Sequence, residues 1–100
     1  MLQRLSVSPE AIAGFCHRHH IRKLSLFGSV LRDDFRPDSG IDVLVEFEPD
    51  AHVSLLDMGG MQMELSELFG REVDFKTEKW ISPRILRKVI DSAVTIYERT

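Results

Sequence analysis

Leu26-Phe27-Gly28-Ser29-Val30-Leu31-Arg32, followed by Gly40-Ile41-Asp42-Val43-Leu44-Val45-Glu46-Phe47, is the part of the chain that decides its architecture. The first run reads as a strand, Leu24 to Phe27, broken at Gly28-Ser29 and followed at once by a short helix, Val30 to Phe35. The second run alternates. Ile41, Val43, Val45 and Phe47 share one face, and residues 40, 42, 44 and 46 share the other. The apolar set must be core, so Asp42 projects from the opposite face at the start of its strand. Glycine lets backbone approach a phosphate closely. Free N–H groups at a helix start favour an anion, and the Ser29 hydroxyl adds a hydrogen bond. A Gly-Ser pair alone is common in ordinary turns.

Outward from this centre the elements follow at short intervals. Ser8-Pro9-Glu10 reads as an N-cap, a first helical residue and an acid matched to the helix dipole. That helix runs to about His20, with Ile12, Phe15 and Cys16 on one face. Arg36-Pro37-Asp38-Ser39-Gly40 is a turn cluster. Ser54 to Phe69 reads as a helix with Leu55, Leu56, Leu65, Leu68 and Phe69 as core candidates, stopped by Gly70. Glu72 to Thr77 is strand-like, with Val73 and Phe75 on one face and Asp74 on the other. Ser82-Pro83 opens a last helix with Ile85, Leu86, Val89 and Ile90 inward. Val94 to Tyr97 closes the chain as a strand. The order α-β-α-β-α-β-α-β predicts an α/β (α+β) fold, a sheet with helices packed on it. Gly59-Gly60 inside the middle helix costs about 2 kcal/mol against alanine. The pair predicts a kink, a close helix–sheet contact, or a break that admits a ligand or partner.

The chain has 100 residues, 43% of them apolar and 29% charged, which suits one small domain spanning 1–100. Such a chain buries roughly 60–70% of its unfolded surface. No apolar run reaches the ~20 residues that span a bilayer, and no secretion signal follows Met1. The single cysteine, Cys16, forms no internal disulfide and reads as a small core residue suited to a reducing cytoplasm. A net charge of −3 argues against general nucleic-acid binding but not against a small anion held in a pocket.

Asp42 and Asp74 lie on separate strands, each opposite an apolar face. Two carboxylates facing one way beside a phosphate-binding turn suit Mg²⁺ held against a triphosphate, because Mg²⁺ takes one or two carboxylates plus phosphate oxygens. Two such ions assist in-line displacement at phosphorus. Spacing alone leaves a plainer alternative open: both are solvent-facing residues of a half-exposed sheet. Arg32 leans toward phosphate or Asp42, or else pairs with Asp34 or Asp38. Glu46 shares the face of Asp42 and is expected to be solvated. His17, His19 and His20 gather at a helix end where the dipole favours cations, with metal binding a minor alternative. Arg84, Arg87 and Lys88 give the last helix a basic face, solvated or turned to an acidic partner.

Gly28-Ser29-Val30-Leu31-Arg32-Asp33-Asp34-Phe35-Arg36-Pro37-Asp38-Ser39-Gly40-Ile41-Asp42 resembles the signature of MNT-type minimal nucleotidyltransferases of the DNA polymerase β-like superfamily. That signature has Gly-Ser, an arginine three residues on, an Arg-Pro-x-Ser turn, and Asp-x-Asp on a strand. Val73-Asp74-Phe75 resembles its third acidic position, and Ser82-Pro83-Arg84 and Ala93 to Glu98 resemble its closing elements. The resemblance implies a mixed sheet with helices and Mg²⁺-dependent nucleotidyl transfer from ATP. It assigns Gly28 and Ser29 to the triphosphate, beside which Arg32 is the expected further nucleotide contact, and Asp42 and Asp74 to catalysis and the metal. It also implies an antitoxin beside a HEPN-type toxin, with AMP passed to a toxin tyrosine.

The departure is at residue 40, where the family has aspartate and this chain has Gly40. Glycine offers no side-chain ligand, so transfer is expected to be impaired. A fold that neutralises its partner by contact alone is the alternative. A nucleotide sensor without a protein partner is a third reading. Self-association is left open by the sequence.

Overall fold

The computed structural model describes residues 7–28 and 40–99. Helix α1 is Pro9–Arg18, strand β1 Ile21–Phe27, strand β2 Ile41–Phe47 and helix α2 Leu55–Phe69. Strand β3 is Val73–Thr77, a 3₁₀ turn spans Glu78–Trp80, helix α3 is Pro83–Ser92 and strand β4 is Val94–Glu98. The helix expected over residues 30–35 and the turn over residues 36–39 lie outside the described residues.

The four strands form one mixed sheet in the order β3-β2-β1-β4. β1 pairs antiparallel with both β2 and β4, and β2 pairs parallel with β3. Parallel neighbours need a crossover of a dozen or more residues, which α2 provides. The fold is therefore α+β. β1 starts three residues earlier than the apolar alternation suggests. Its register shifts between Ile21 and Lys23, which breaks the two-residue period and hides the strand's first half.

Local chemistry sets the helix ends. The Ser8 hydroxyl oxygen accepts from the Ala11 N–H at 3.1 Å, with Pro9 at the first helical position. α2 opens with a capping box: the Asp57 N–H donates to Ser54 Oγ and the Ser54 N–H donates to Asp57 Oδ2, both at 3.1 Å. It closes at Gly70, whose φ of 67° is the left-handed cap that glycine adopts without strain.

The core lies on one face of the sheet. Leu24, Leu26, Val43, Val45, Val73 and Phe75 pack under Ile12, Phe15 and Cys16 of α1 and Met61, Leu65 and Phe69 of α2. Cys16 is fully buried, and burial pushes its thiol up to about 12. Among the described residues no helix is long and apolar enough to cross a membrane.

Three expectations need correction. Leu55 and Leu56 are exposed, at 71% and 87%, instead of buried. The buried stripe of α2 begins a turn later. Leu55 borders an open groove of about 510 Å³ with Phe47, Met58 and Trp80, while Leu56 and Met63 sit seven residues apart on the outward side. On α3, Ile85 and Ile90 are exposed and Leu86 and Val89 only half-buried. On the sheet's second face Lys23, Glu46, Asp74 and Lys76 surround the buried Leu44 and Ser25, so the apolar surface offered to α3 is small. Finally, α2 runs unbroken through Gly59-Gly60, and a Cβ on either glycine meets nothing within 4 Å. The pair marks neither a break nor a close helix–sheet contact.

α2 also covers the outer edge of β3. The Val73 N–H donates to Ser66 Oγ at 3.1 Å and the Phe75 N–H donates to Gln62 Oε1 at 3.2 Å. The Ser66 hydroxyl in turn donates to the Gln62 carbonyl at 2.8 Å. These bonds occupy donors that an edge strand otherwise leaves open.

Candidate functional site

The sheet's register assembles the site. In the parallel β2–β3 pair Asp42 stands directly opposite Asp74, and in the β1–β2 pair it stands opposite Phe27. Neighbouring strands run roughly 4.8 Å apart, and paired residues project from the same face. Both carboxylates thus rise from one patch of the sheet's second face, away from the core. Asp42 is half-buried and Asp74 exposed, with Lys76 Nζ 3.4 Å from Asp74 Oδ2.

Gly28 closes the patch on the β1 side. Its φ of +78° lies in the left-handed region, which suits the sharp exit from β1. A Cβ there would stand 3.2 Å from Asp42 Cγ and overlap its Oδ2. Glycine is thus required twice, by the backbone angle and by the carboxylate beside it. The expected nucleotide contacts Ser29 and Arg32 lie outside the described residues.

On the β3 side the patch opens into a cleft of about 500 Å³ lined by Gly40, Asp42, Gln62, Glu72, Val73 and Asp74. A volume of that order suits a small ligand. Gly40 is exposed, and its φ lies outside the left-handed region. A Cβ added there meets the Glu72 carbonyl oxygen at 3.5 Å, an ordinary contact. The Ile41 N–H donates to that same oxygen at 2.9 Å, which fixes residue 40 against β3. Among the described residues, a Cβ at position 40 meets no closer atom.

Among the described residues no group of three His, Cys, Asp or Glu side chains is placed to hold a metal ion. Asp42 and Asp74 remain as a paired set, which fits Mg²⁺ when phosphate oxygens and water complete its shell. Glu46 lies 3.5 Å from Arg22 Nη1 in a surface ion pair. His19 Nε2 lies 2.9 Å from Glu64 Oε1, and Arg18 also pairs with Glu64, so this corner is an ion-pair network. Sequence reasoning missed Gln62 and Glu72 as lining residues. Glu72 was legible two residues before Asp74 on the same strand face. Gln62 carries no local signal, because only the covered edge of β3 brings it there.

Comparison with known proteins bears on the family and the fold. The nucleotidyltransferase domain family model matches residues 9–96. A Methanocaldococcus jannaschii chain provisionally named a protein adenylyltransferase is 37% identical over 79 residues, 79% of this chain and 83% of its own. A solved structure provisionally described as a minimal nucleotidyltransferase is 36% identical, covers 86% of each chain and superposes with a TM-score of 0.71. A Shewanella oneidensis complex of a tri-AMPylated HEPN toxin with an MNT antitoxin is 15% identical. It covers 99% of this chain and 74% of that one, has a TM-score of 0.68, and bears on the fold alone. The family model, the archaeal relative and the solved minimal nucleotidyltransferase agree: the chain belongs to the nucleotidyltransferase domain family, as an MNT-type minimal nucleotidyltransferase.

Proposed function

We propose that this chain is the antitoxin of an MNT–HEPN pair, a nucleotidyltransferase-fold protein whose AMP transfer from ATP to a toxin tyrosine is impaired by Gly40. The observation that carries the reading is the register that sets Asp42 opposite Asp74 with Gly28 pressed against Asp42. Support for the partner comes from the AMPylated toxin of the Shewanella complex, and support for the reaction from the name of the archaeal relative. A cytoplasmic setting suits the lone buried thiol.

In this reading the peptide N–H groups around Gly28, with Ser29 and Arg32, hold the phosphate tail of ATP. Asp42 and Asp74 would hold Mg²⁺, which when bound would offset phosphate charge and draw electron density from the α-phosphorus. The acceptor hydroxyl oxygen bonds to that phosphorus, the bond to the bridging oxygen of the β-phosphate breaks, and pyrophosphate leaves. The hydroxyl proton needs a base. Residue 40, beside both acids, has no side-chain oxygen to take it or to place a second ion. In-line transfer needs a positioned acceptor hydroxyl, a role this reading gives to the partner's own surface.

Gly40 also favours a second reading, in which the fold neutralises the toxin by contact alone. The test is labelling of the adjacent-gene HEPN protein with radioactive ATP and Mg²⁺ by this chain and by its Gly40→Asp variant. Strong labelling by the variant and weak labelling by the present chain is the expected result. Equal labelling by both removes the claim that Gly40 disables the site. No labelling by either moves the assignment to contact neutralisation.

A further inference from the structure

We infer that Gln62 and Ser66 of α2 are positioning residues that fix Asp74 from outside the sheet. The inference rests on the reading of the cleft as a metal–nucleotide site. β3 is an edge strand of five residues, and Asp74 sits at its second position. In a parallel ladder, alternate residues direct their N–H groups to opposite sides. The groups flanking Asp74, at Val73 and Phe75, point away from β2. Ser66 Oγ takes the first and Gln62 Oε1 the second. Asp74 is therefore bracketed: β2 engages the inner edge of its strand, and two α2 side chains hold the residues on either side.

The bracket is a connected unit. The Ser66 hydroxyl accepts from the Val73 N–H and donates to the main-chain carbonyl of Gln62 one turn earlier, so Ser66 ties the strand to the α2 backbone at the residue whose side chain holds Phe75. A backbone N–H only donates, which settles that the Gln62 side-chain oxygen faces the strand. Gln62 also lines the cleft that holds Asp42 and Asp74, so the clamp stands at the edge of the chemistry. Asp74 is itself exposed, and Lys76 is its charged neighbour at 3.4 Å. Its position is set by backbone anchoring more than by packing of its own side chain. Groups that orient a metal ligand from outside typically change metal affinity about 10–100-fold when removed.

The test uses Mn²⁺–ATP as probe, read by Mn²⁺ magnetic resonance, together with amide hydrogen exchange at Val73 and Phe75. Gln62→Met and Ser66→Ala are expected to weaken Mn²⁺–ATP binding about tenfold. They are also expected to speed exchange at Phe75 and Val73, respectively, about fivefold. Gln62→Glu keeps an acceptor oxygen and is expected to restore slow exchange at Phe75. Ser54→Ala loosens the same helix at its far cap without touching β3, and is expected to leave binding unchanged. An equal loss of binding in Ser54→Ala, or unchanged exchange in Gln62→Met, overturns the inference. If the unaltered chain binds no Mn²⁺–ATP, the nucleotide reading falls instead, and the exchange measurements alone decide the clamp.

Discussion

Gly28 and Asp42 occupy space that a larger residue at position 28 would deny to one of them. The Gly28 backbone sits in the left-handed region, and the Asp42 carboxylate fills the place a Cβ would take. The end of β1 and the start of β2 are thereby locked into one surface. Gly28→Ala is expected to destabilise the fold by about 2 kcal/mol, from the strained angle and the displaced carboxylate. Urea unfolding measures the first effect, and loss of Mg²⁺–ATP binding measures the second. A variant as stable and as tightly binding as the parent would show that the contact has no consequence.

Residue 40 behaves in the opposite way. Among the described residues, a Cβ there meets ordinary contact with the Glu72 carbonyl. Gly40→Asp is expected to leave the melting temperature within about 3 °C, as a tolerated surface change does. Partner labelling is expected to rise about a hundredfold or more, the range of a restored proton acceptor. Calorimetric unfolding and labelling rate check the two halves separately.

The two sides of α2 should respond very differently to truncation. Leu65 is fully buried under the sheet, while Leu56 is 87% exposed. Leu65→Ala is expected to cost about 2–5 kcal/mol, and Leu56→Ala to stay within about 0.5 kcal/mol. Chemical denaturation of both variants reads this directly. Comparable losses would place Leu56 against the core after all.

Acid should loosen α2 at two points. The Asp57 carboxyl is held below its usual value by hydrogen bonds from the Ser54 backbone and hydroxyl. For Glu64, desolvation pushes the value up, but bonds from His19 and Arg18 outweigh it and the net direction is down. A depressed carboxylate contributes stability above its unfolded pKa and loses it as pH falls through the folded one. Stability is therefore expected to fall below about pH 4.5, through the ordinary carboxylate range. Asp57→Asn and Glu64→Gln should each flatten that fall. Urea midpoints from pH 3 to 7 would show it, and an unchanged slope would remove these groups from the acid response.

Much of this was legible in residues that obey a simple period. β2 declares itself through Ile41, Val43, Val45 and Phe47, and the opposite phase of that alternation points Asp42 outward. Ser8-Pro9 and Ser54 announce two helix starts because caps are local chemistry. The misplaced core residues have one origin. Leu55, Ile85 and Ile90 look like core by helical spacing, but spacing reports which residues share a face and not whether anything covers it. The register that brings Asp42 opposite Asp74, and the edge contact that brings Gln62 beside them, are long-range outcomes. No window of sequence holds both partners.

The occupied outer edge of β3 has a consequence for growth of the sheet. A strand from another molecule extends a sheet through the edge's vacant N–H and C=O groups, and at Val73 and Phe75 the N–H groups are already engaged by α2. Accretion on that flank thus competes with two bonds the fold already makes, while β4 forms the sheet's opposite edge among the described residues.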